Sequence, residues 1–206
     1  MAAEESIRLV MTTLAQHRRQ EAVLATSRRP WHGRLRVLTT SAGSVQIRRQ
    51  ASLVRITSII EAHVADQLVQ RFELHAPPPR KAILDDVYVR AEDNAIGSWP
   101  KMTEHYSRWF SIRMRTCPSW RRIEALTNAR NAVAHGLGEL TRRMARKDKT
   151  QLRRDFATLD ISMAGSAIVL SEMSLRSAAA AGREFIQWLD EELERYDVKA
   201  SLGASS

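Results

Sequence analysis

A short segment of the chain combines an arginine, an amide and an imidazole at helical spacing. Asn131 follows Arg130 directly, and His135 comes four residues after Asn131. Imidazole exchanges protons near neutral pH, and a guanidinium group binds oxyanions through its paired donors. On a helix, Asn131 and His135 lie about 40° apart, on one flank beside Arg130. The spacing therefore predicts that groups suited to acid–base and oxyanion chemistry converge near one helix end.

Two charged residues occupy positions where apolar side chains are expected. Arg130 falls at the centre of an apolar stripe on its helix, and Glu61 falls within the apolar arc of a long preceding helix. The stripe consists of Ile123, Leu126, Val133 and Leu137, and the arc of Leu53, Ile60, Val64, Leu68 and Phe72. Because an unpaired buried charge costs several kcal/mol, we expect Glu61 and Arg130 to meet in the interior. The alternative is a structural ion pair that only fixes helix register.

Apolar periodicity predicts an all-α helical bundle in a single domain spanning residues 1–206. Proline and glycine punctuation sets the ends of several helices, and residues alternating around Gly165 indicate a short β-hairpin before the last helix. We predict a basic loop over 26–44 that contains Trp31, and a flexible tail over 198–206. The predicted helices span about Glu4–Ala25, Val45–Leu74, Ile83–Arg90, Pro100–Met114, Ser119–Gly136 and Glu139–Leu159, followed by a last helix with Phe185, Ile186, Leu189 and Leu193.

The composition favours an intracellular protein with a polyanionic partner. There are 32 Lys+Arg against 23 Asp+Glu, a formal charge of +9, which favours nucleic acid or an anionic surface over a neutral partner. The alternative is a soluble basic protein with no such partner. Cys117 is the only cysteine, which excludes an intramolecular disulfide, and we expect it to be a packed side chain. No apolar run approaches the roughly 18 residues of a membrane span, so we predict a cytoplasmic protein without membrane contact.

The segment Ile123-Glu-Ala-Leu-Thr-Asn-Ala-Arg-Asn-Ala-Val-Ala-His-Gly136 resembles the signature of the HEPN superfamily of helical-bundle RNases and nucleotide-binding domains. Arg130, Asn131 and His135 match its arginine, polar residue and histidine in order and spacing. Glu61 resembles the acidic residue that many members carry on a preceding long helix. The resemblance covers about residues 45–197, with the RiboL-PSP-HEPN type as a candidate branch, and the loop near Trp31 has no counterpart.

The resemblance implies metal-independent RNA cleavage, in which the substrate's 2′-hydroxyl attacks the adjacent phosphate. His135 would act as general acid or base, Arg130 would stabilise the phosphorane, and Glu61 would aim Arg130. Asn131 would bind a phosphate oxygen or orient His135, unless it is a capping or solvated amide. No histidine pair has a metal-ligand spacing, and there is no glycine-rich phosphate loop, so we expect neither metal nor cofactor.

Basic residues follow the motif closely. Arg142, Arg143, Arg146 and Lys147 are the predicted RNA-binding residues, and Lys149, Arg153 and Arg154 continue the cluster. They would line an approach for RNA if they share the motif's side of the bundle, and otherwise they form an ordinary solvated face. Three tryptophans, Trp31, Trp99 and Trp120, would stack on bases or, as more often happens, pack in the core.

The sequence leaves two rival functions open. One is a non-catalytic HEPN-like module that binds RNA, a nucleotide or a protein, and the other is an adaptor whose charge only keeps it soluble. Both Arg130 and His135 are present, which favours the endoribonuclease. The resemblance further implies a homodimer and a toxin or phage-defence role, with an antitoxin or defence-system protein as an expected partner.

Overall fold

The computed structural model describes residues 2–26, 41–75, 82–146 and 148–203. These residues form an all-α helical bundle with one small antiparallel sheet, as the sequence predicted. The helices are α1 (Ala3–Thr26), α2 (Ser41–His75), α3 (Ala82–Ile96), α4 (Trp99–Phe110), α5 (Trp120–Gly136), α6 (Arg142–Ala145), α7 (Lys149–Ala157) and α8 (Glu172–Gly203). A 3₁₀ turn spans Met114–Thr116, and the strands are β1 (Ser162–Ala164) and β2 (Ala167–Val169).

The core lies where α1, α2, α5 and α8 pack together. The predicted apolar arc of α2 is buried from Leu53 to Leu68, whereas Phe72 at its end is half-buried. The two longest helices approach closely at Gly182 of α8, where a Cβ atom would lie 2.5 Å from Cδ1 of Ile60. Glycine at this position therefore lets α8 pack directly on α2. The predicted stripe of the last helix is buried in full: Phe185, Ile186, Leu189 and Leu193.

Two serine–histidine pairs, one buried and one partly buried, join α1 to α2. Ser6 Oγ lies 3.1 Å from His63 Nδ1, and Ser52 Oγ lies 3.0 Å from His17 Nδ1. Each helix contributes one serine and one histidine. The early residue of α1 meets the later residue of α2, so the two helices run antiparallel. Because burying a polar group is costly unless it is hydrogen-bonded, these pairs fix the register of α1 on α2.

The basic helix predicted over 139–159 is wrong, because the chain forms two short helices there. Leu140 N donates to Ser166 O at 2.9 Å, which draws the chain before α6 towards the hairpin. Thr141 then accepts a hydrogen bond from Met144 N, and Asp148 accepts one from Thr150 N. Each of these side chains caps a helix start, so a new helix begins after each cap. The hairpin around Gly165 is confirmed, with Met163 paired to Ile168.

Four other boundaries differ from the prediction. α3 continues to Ile96 instead of ending near Arg90, because the first helix-breaking residue after Arg90 is Gly97. α2 begins at Ser41, so the part of the predicted loop over 41–44 is helical, while 27–40 with Trp31 lies outside the described residues. α4 ends at Phe110 because Ser111 adopts a left-handed conformation, with φ of 57°, that terminates the helix before Met114. α8 continues to Gly203, so residues 198–203 of the predicted tail are helical.

The end of α5 is fixed by a tight turn. Leu137 has φ of 52° and Gly138 has φ of 93°, and both backbone N–H groups turn back to Ala132 O. Gly138 packs against α2, since a Cβ there would lie 2.4 Å from Nε2 of Gln50. Gly138 O also accepts a hydrogen bond from Ile168 N at 2.8 Å. The turn thus joins the end of α5 to both α2 and the hairpin.

Candidate active site

Glu61 and Arg130 meet between α2 and α5. Arg130 Nη2 lies 3.8 Å from Glu61 Oε2, and the side chains are 29% and 25% exposed. The pair was predicted in the interior, but it lies at the edge of the core, partly open to solvent. The reason is that alanines make up much of the buried face of α5. This face therefore lies to one side of Arg130 rather than centred on it. The buried residues of α5 are Trp120, Ile123, Ala125, Leu126, Ala129 and Ala132.

Leu137 was placed on the buried stripe and is instead 92% exposed. The helix ends at Gly136, so the direction of the Leu137 side chain no longer follows the helical advance of about 100° per residue. Val133, another member of the predicted stripe, is half-buried against the core. The end of α5 that carries Arg130 and His135 is therefore a surface rather than a core element.

The guanidinium of Arg130 retains unused hydrogen-bonding capacity. Arg130 Nη1 donates to Asn131 Oδ1 at 3.2 Å, and the contact to Glu61 is longer than a good hydrogen bond. Arg130 Nε is buried and has no acceptor within the described part of the chain. A guanidinium carries four Nη–H donors besides Nε–H, so the Nη donors beyond these two contacts remain available to a ligand such as phosphate.

The carboxyl group of Glu61 is perturbed by its position. Burial raises the pKa of Glu61, and the nearby Arg130 charge lowers the pKa by a smaller amount. The cost of desolvation therefore exceeds the attraction to Arg130. Acidification would neutralise Glu61 sooner than an ordinary glutamate and weaken its hold on the guanidinium.

His135 projects into solvent one helical turn beyond Asn131. Its imidazole is exposed and makes no hydrogen bond or ion pair within the described residues. Asn131 is half-buried, and its Oδ1 accepts a hydrogen bond from Arg130. Asn131 therefore holds the guanidinium of Arg130, and no contact supports its predicted role of orienting His135. Arg130, Asn131 and His135 thus share one end of α5, with the imidazole free to meet a ligand.

Asn128 extends this flank and was missed by the sequence reasoning. It lies three residues before Asn131 and seven before His135, which places the three side chains along one side of α5. Asn128 is half-buried. The spacing from Asn128 to His135 was visible in the sequence, but asparagine alone carries no distinctive chemical signal.

The predicted RNA-binding residues lie beyond the end of α5. Arg142, Arg143 and Arg146 are exposed on and just after α6, whereas Lys147 lies outside the described residues. A Cβ at Gly136 would lie 3.6 Å from Thr141 N, which shows that the start of α6 packs against the end of α5. The first arginines of the cluster are therefore held close to the end of the helix that carries His135.

Two of the three tryptophans belong to an aromatic cluster. Trp99 and Trp120 stack with their centroids 6.1 Å apart, and both pack against Phe185 of α8. Their packing favours the core interpretation over base stacking. Trp31 lies outside the described residues. Cys117 is buried, as predicted, with Sγ 3.2 Å from Ser119 Oγ.

Within the described residues, no group of three or more histidine, cysteine, aspartate or glutamate side chains has the arrangement of a metal site. No helix in this part of the chain is both long enough and apolar enough to cross a bilayer. No family model, curated protein or solved structure matches the chain. The function must therefore be inferred from the residues and geometry of the site.

Proposed function

We propose that the protein is a metal-independent endoribonuclease whose catalytic residues are Arg130 and His135. The observation that carries this proposal is the half-buried guanidinium of Arg130, held by Glu61 and Asn131 with Nη donors to spare, beside an exposed imidazole on the same helix end. A preorganised cation with free donors suits a phosphate that gains charge during reaction. The resemblance of the motif to the HEPN signature supports the same chemistry.

In the proposed reaction, the 2′-hydroxyl oxygen of the substrate attacks the adjacent phosphorus, and the bond from phosphorus to the 5′-oxygen breaks. His135 takes the proton from the 2′-hydroxyl or gives one to the 5′-oxygen, because imidazole is suited to either proton transfer. Arg130 binds the non-bridging oxygens and stabilises the phosphorane. Asn131 and Glu61 position Arg130. The products are a 2′,3′-cyclic phosphate and a 5′-hydroxyl.

A homodimer would bring two such sites together, and exposed apolar residues near Arg130 support it. Leu137 is 92% exposed directly after the motif, and Ile47 is 66% exposed on α2. Ile47 lies one helical turn before Gln50, which packs against Gly138, so Ile47 lies at the end of α5 that carries Leu137. Large apolar side chains at this exposure favour burial against a partner. A second copy of the chain would cover them and keep the sites adjacent.

A toxin or phage-defence role, held in check by an antitoxin or another defence-system protein, is consistent with the proposed activity. Such a role predicts that expression of the wild-type chain arrests growth. Expression of the His135→Ala variant should not arrest growth, because the fold remains and the proposed acid–base group is lost.

The decisive experiment is incubation of purified protein with RNA in excess chelator. We expect cleavage that leaves 2′,3′-cyclic phosphate ends and that disappears in His135→Ala. Glu104→Ala is the matched control, since Glu104 is exposed on α4 and lies outside the flank of α5 that carries Asn131 and His135. Products with 5′-phosphate ends, or full activity in His135→Ala, would overturn the proposal. Retained RNA binding without any cleavage would instead support the non-catalytic binding module.

A further inference from the structure

The exposed cations of α6 and α7 differ from many other arginines of the protein in having no carboxylate partner. On α8, by contrast, Arg176 pairs with Glu172, and Arg195 pairs with Glu191 and Glu192. No hydrogen bond or ion pair within the described residues involves the exposed cations of this region. These are Arg142, Arg143, Arg146, Lys149, Arg153 and Arg154.

The segment 142–154 is also poor in negative charge. It contains seven Lys+Arg residues and a single acidic residue, Asp148. The Asp148 carboxylate accepts a hydrogen bond from Thr150 N at 2.8 Å and so serves as the cap of α7. Little in this segment neutralises the cations, so their field remains available to a bound polyanion.

Two contacts hold this segment along the length of α5. At one end, Thr141 packs against Gly136, next to His135. At the other end, Arg121 Nε donates to Asp155 Oδ1 at 3.0 Å, which fixes the end of α7 to the start of α5. Arg121 and His135 are 14 residues apart, or about 21 Å at roughly 1.5 Å per residue. The cations between these contacts therefore follow α5 away from His135.

α7 is a firm support for these side chains. Leu152 and Phe156 are buried at 2% and 0% exposure, and they anchor one face of the helix in the core. Arg153 and Arg154 project from the rest of the helix into solvent. Cations on an anchored helix keep their relative positions, which reduces the entropy lost when they bind a strand.

We propose that α6 and α7 form a phosphate track that holds the RNA strand on one side of the scissile phosphate. The inference rests on the proposed function, because it takes Arg130 and His135 as the cleavage site. A track of about 21 Å accommodates roughly six nucleotides at about 3.4 Å each along a stacked strand. The substrate is then a strand extended by about six nucleotides in one direction, and a dinucleotide is a poor substrate.

The test uses RNA oligonucleotides in which a single nucleotide carries a free 2′-hydroxyl and all others are 2′-O-methylated. The cleavable dinucleotide is assayed alone and with six added nucleotides on its 5′ side, its 3′ side or both. We expect kcat/KM to rise at least tenfold on extension in one direction only, and to level off near six nucleotides. Equal kcat/KM for all cleaved lengths would overturn the track.

A pair of variants tests the same track through binding. Arg153→Gln with Arg154→Gln should lower the slope of log affinity against log salt by about 1.4, since each lost single-strand contact contributes about 0.7. It should lower kcat/KM for the extended oligonucleotides more than for the dinucleotide. Arg8→Gln with Arg19→Gln is the matched control, because both arginines are exposed on α1. The control should retain the wild-type slope.

The two proposals fail in distinguishable ways. If no oligonucleotide is cleaved, the endoribonuclease proposal fails. The track is then decided by the salt slope measured on a fully methylated strand of about 14 nucleotides, which is the dinucleotide with six nucleotides on each side. A smaller slope in the α7 variant alone supports the track. Equal slopes in wild type, α7 variant and α1 control refute it.

Discussion

Replacement of Glu61 by glutamine tests how the Glu61–Arg130 pair contributes to stability. The variant keeps the size and an oxygen acceptor but removes the charge. For two unit charges at the observed 3.8 Å, Coulomb attraction amounts to about 1 kcal/mol in water and about 4 kcal/mol at an effective dielectric of about 20. Partial exposure of both side chains places the attraction between these limits.

The raised pKa of Glu61 shows that desolvation outweighs this attraction. Removal of the charge therefore relieves a cost that exceeds the lost attraction. We expect Glu61→Gln to change the free energy of unfolding at pH 7 by less than about 1 kcal/mol, in the stabilising direction. A fully buried pair would instead lose about 3–5 kcal/mol when one partner is removed.

The pH dependence gives the same test a second readout. A carboxyl group whose pKa is raised on folding favours the folded state below its unfolded pKa of about 4.3, and this contribution is lost as the pH rises through the folded pKa. Wild type should therefore gain stability relative to Glu61→Gln as the pH falls from 7 towards 4.5. The glutamine variant lacks the proton-binding group and cannot show this gain.

Urea unfolding at pH 7 and pH 4.5 measures both effects. Glu184→Gln is the matched control, because Glu184 pairs with Arg122 on the same helix α5, with side chains 41% and 31% exposed. We expect a loss of about 0–1 kcal/mol in the control, as for exposed pairs. A loss of 3 kcal/mol or more in Glu61→Gln at pH 7 would refute the edge-of-core interpretation.

Three further predictions concern other residues. Burial lowers the pKa of His105. Its contribution to stability is therefore present above about pH 6.5 and is lost as the pH falls through the folded pKa. In urea unfolding, wild type should lose more stability than His105→Phe between pH 7 and pH 5. Leu137→Asn should leave the monomer's unfolding free energy within about 0.5 kcal/mol, because asparagine tolerates positive φ, yet weaken the proposed dimer at least tenfold in sedimentation; an unchanged dimer would place the interface elsewhere. Arg130→Lys should fold normally but lose at least a hundredfold in kcat, about 2.7 kcal/mol in activation free energy, because an ammonium group lacks the planar fork of donors. Near-normal kcat would mean that Arg130 does not stabilise the transition state.

Apolar periodicity predicted the long helices and the hairpin because these elements have strong local patterns. α2 and α8 carry continuous stripes of large apolar residues, and Gly165 provides the positive φ that the hairpin turn requires. The break between α6 and α7 was missed because the capping roles of Thr141 and Asp148 depend on where the preceding chain is held. That placement comes from pairing of Leu140 with the hairpin residue Ser166, which is distant in sequence.

The sequence by itself determined that Arg130, Asn131 and His135 share one end of a helix, and that Glu61 falls within the apolar arc of α2. Both follow from helical spacing, which is a local property. Only the tertiary structure decided that the Glu61–Arg130 pair lies at the edge of the core and that Leu137 is exposed. Alanines carry little signal in an apolar pattern, yet Ala129 and Ala132 are completely buried because neighbouring helices approach them closely. Burial depends on which elements pack against each flank of a helix, and spacing along one chain segment does not contain that information.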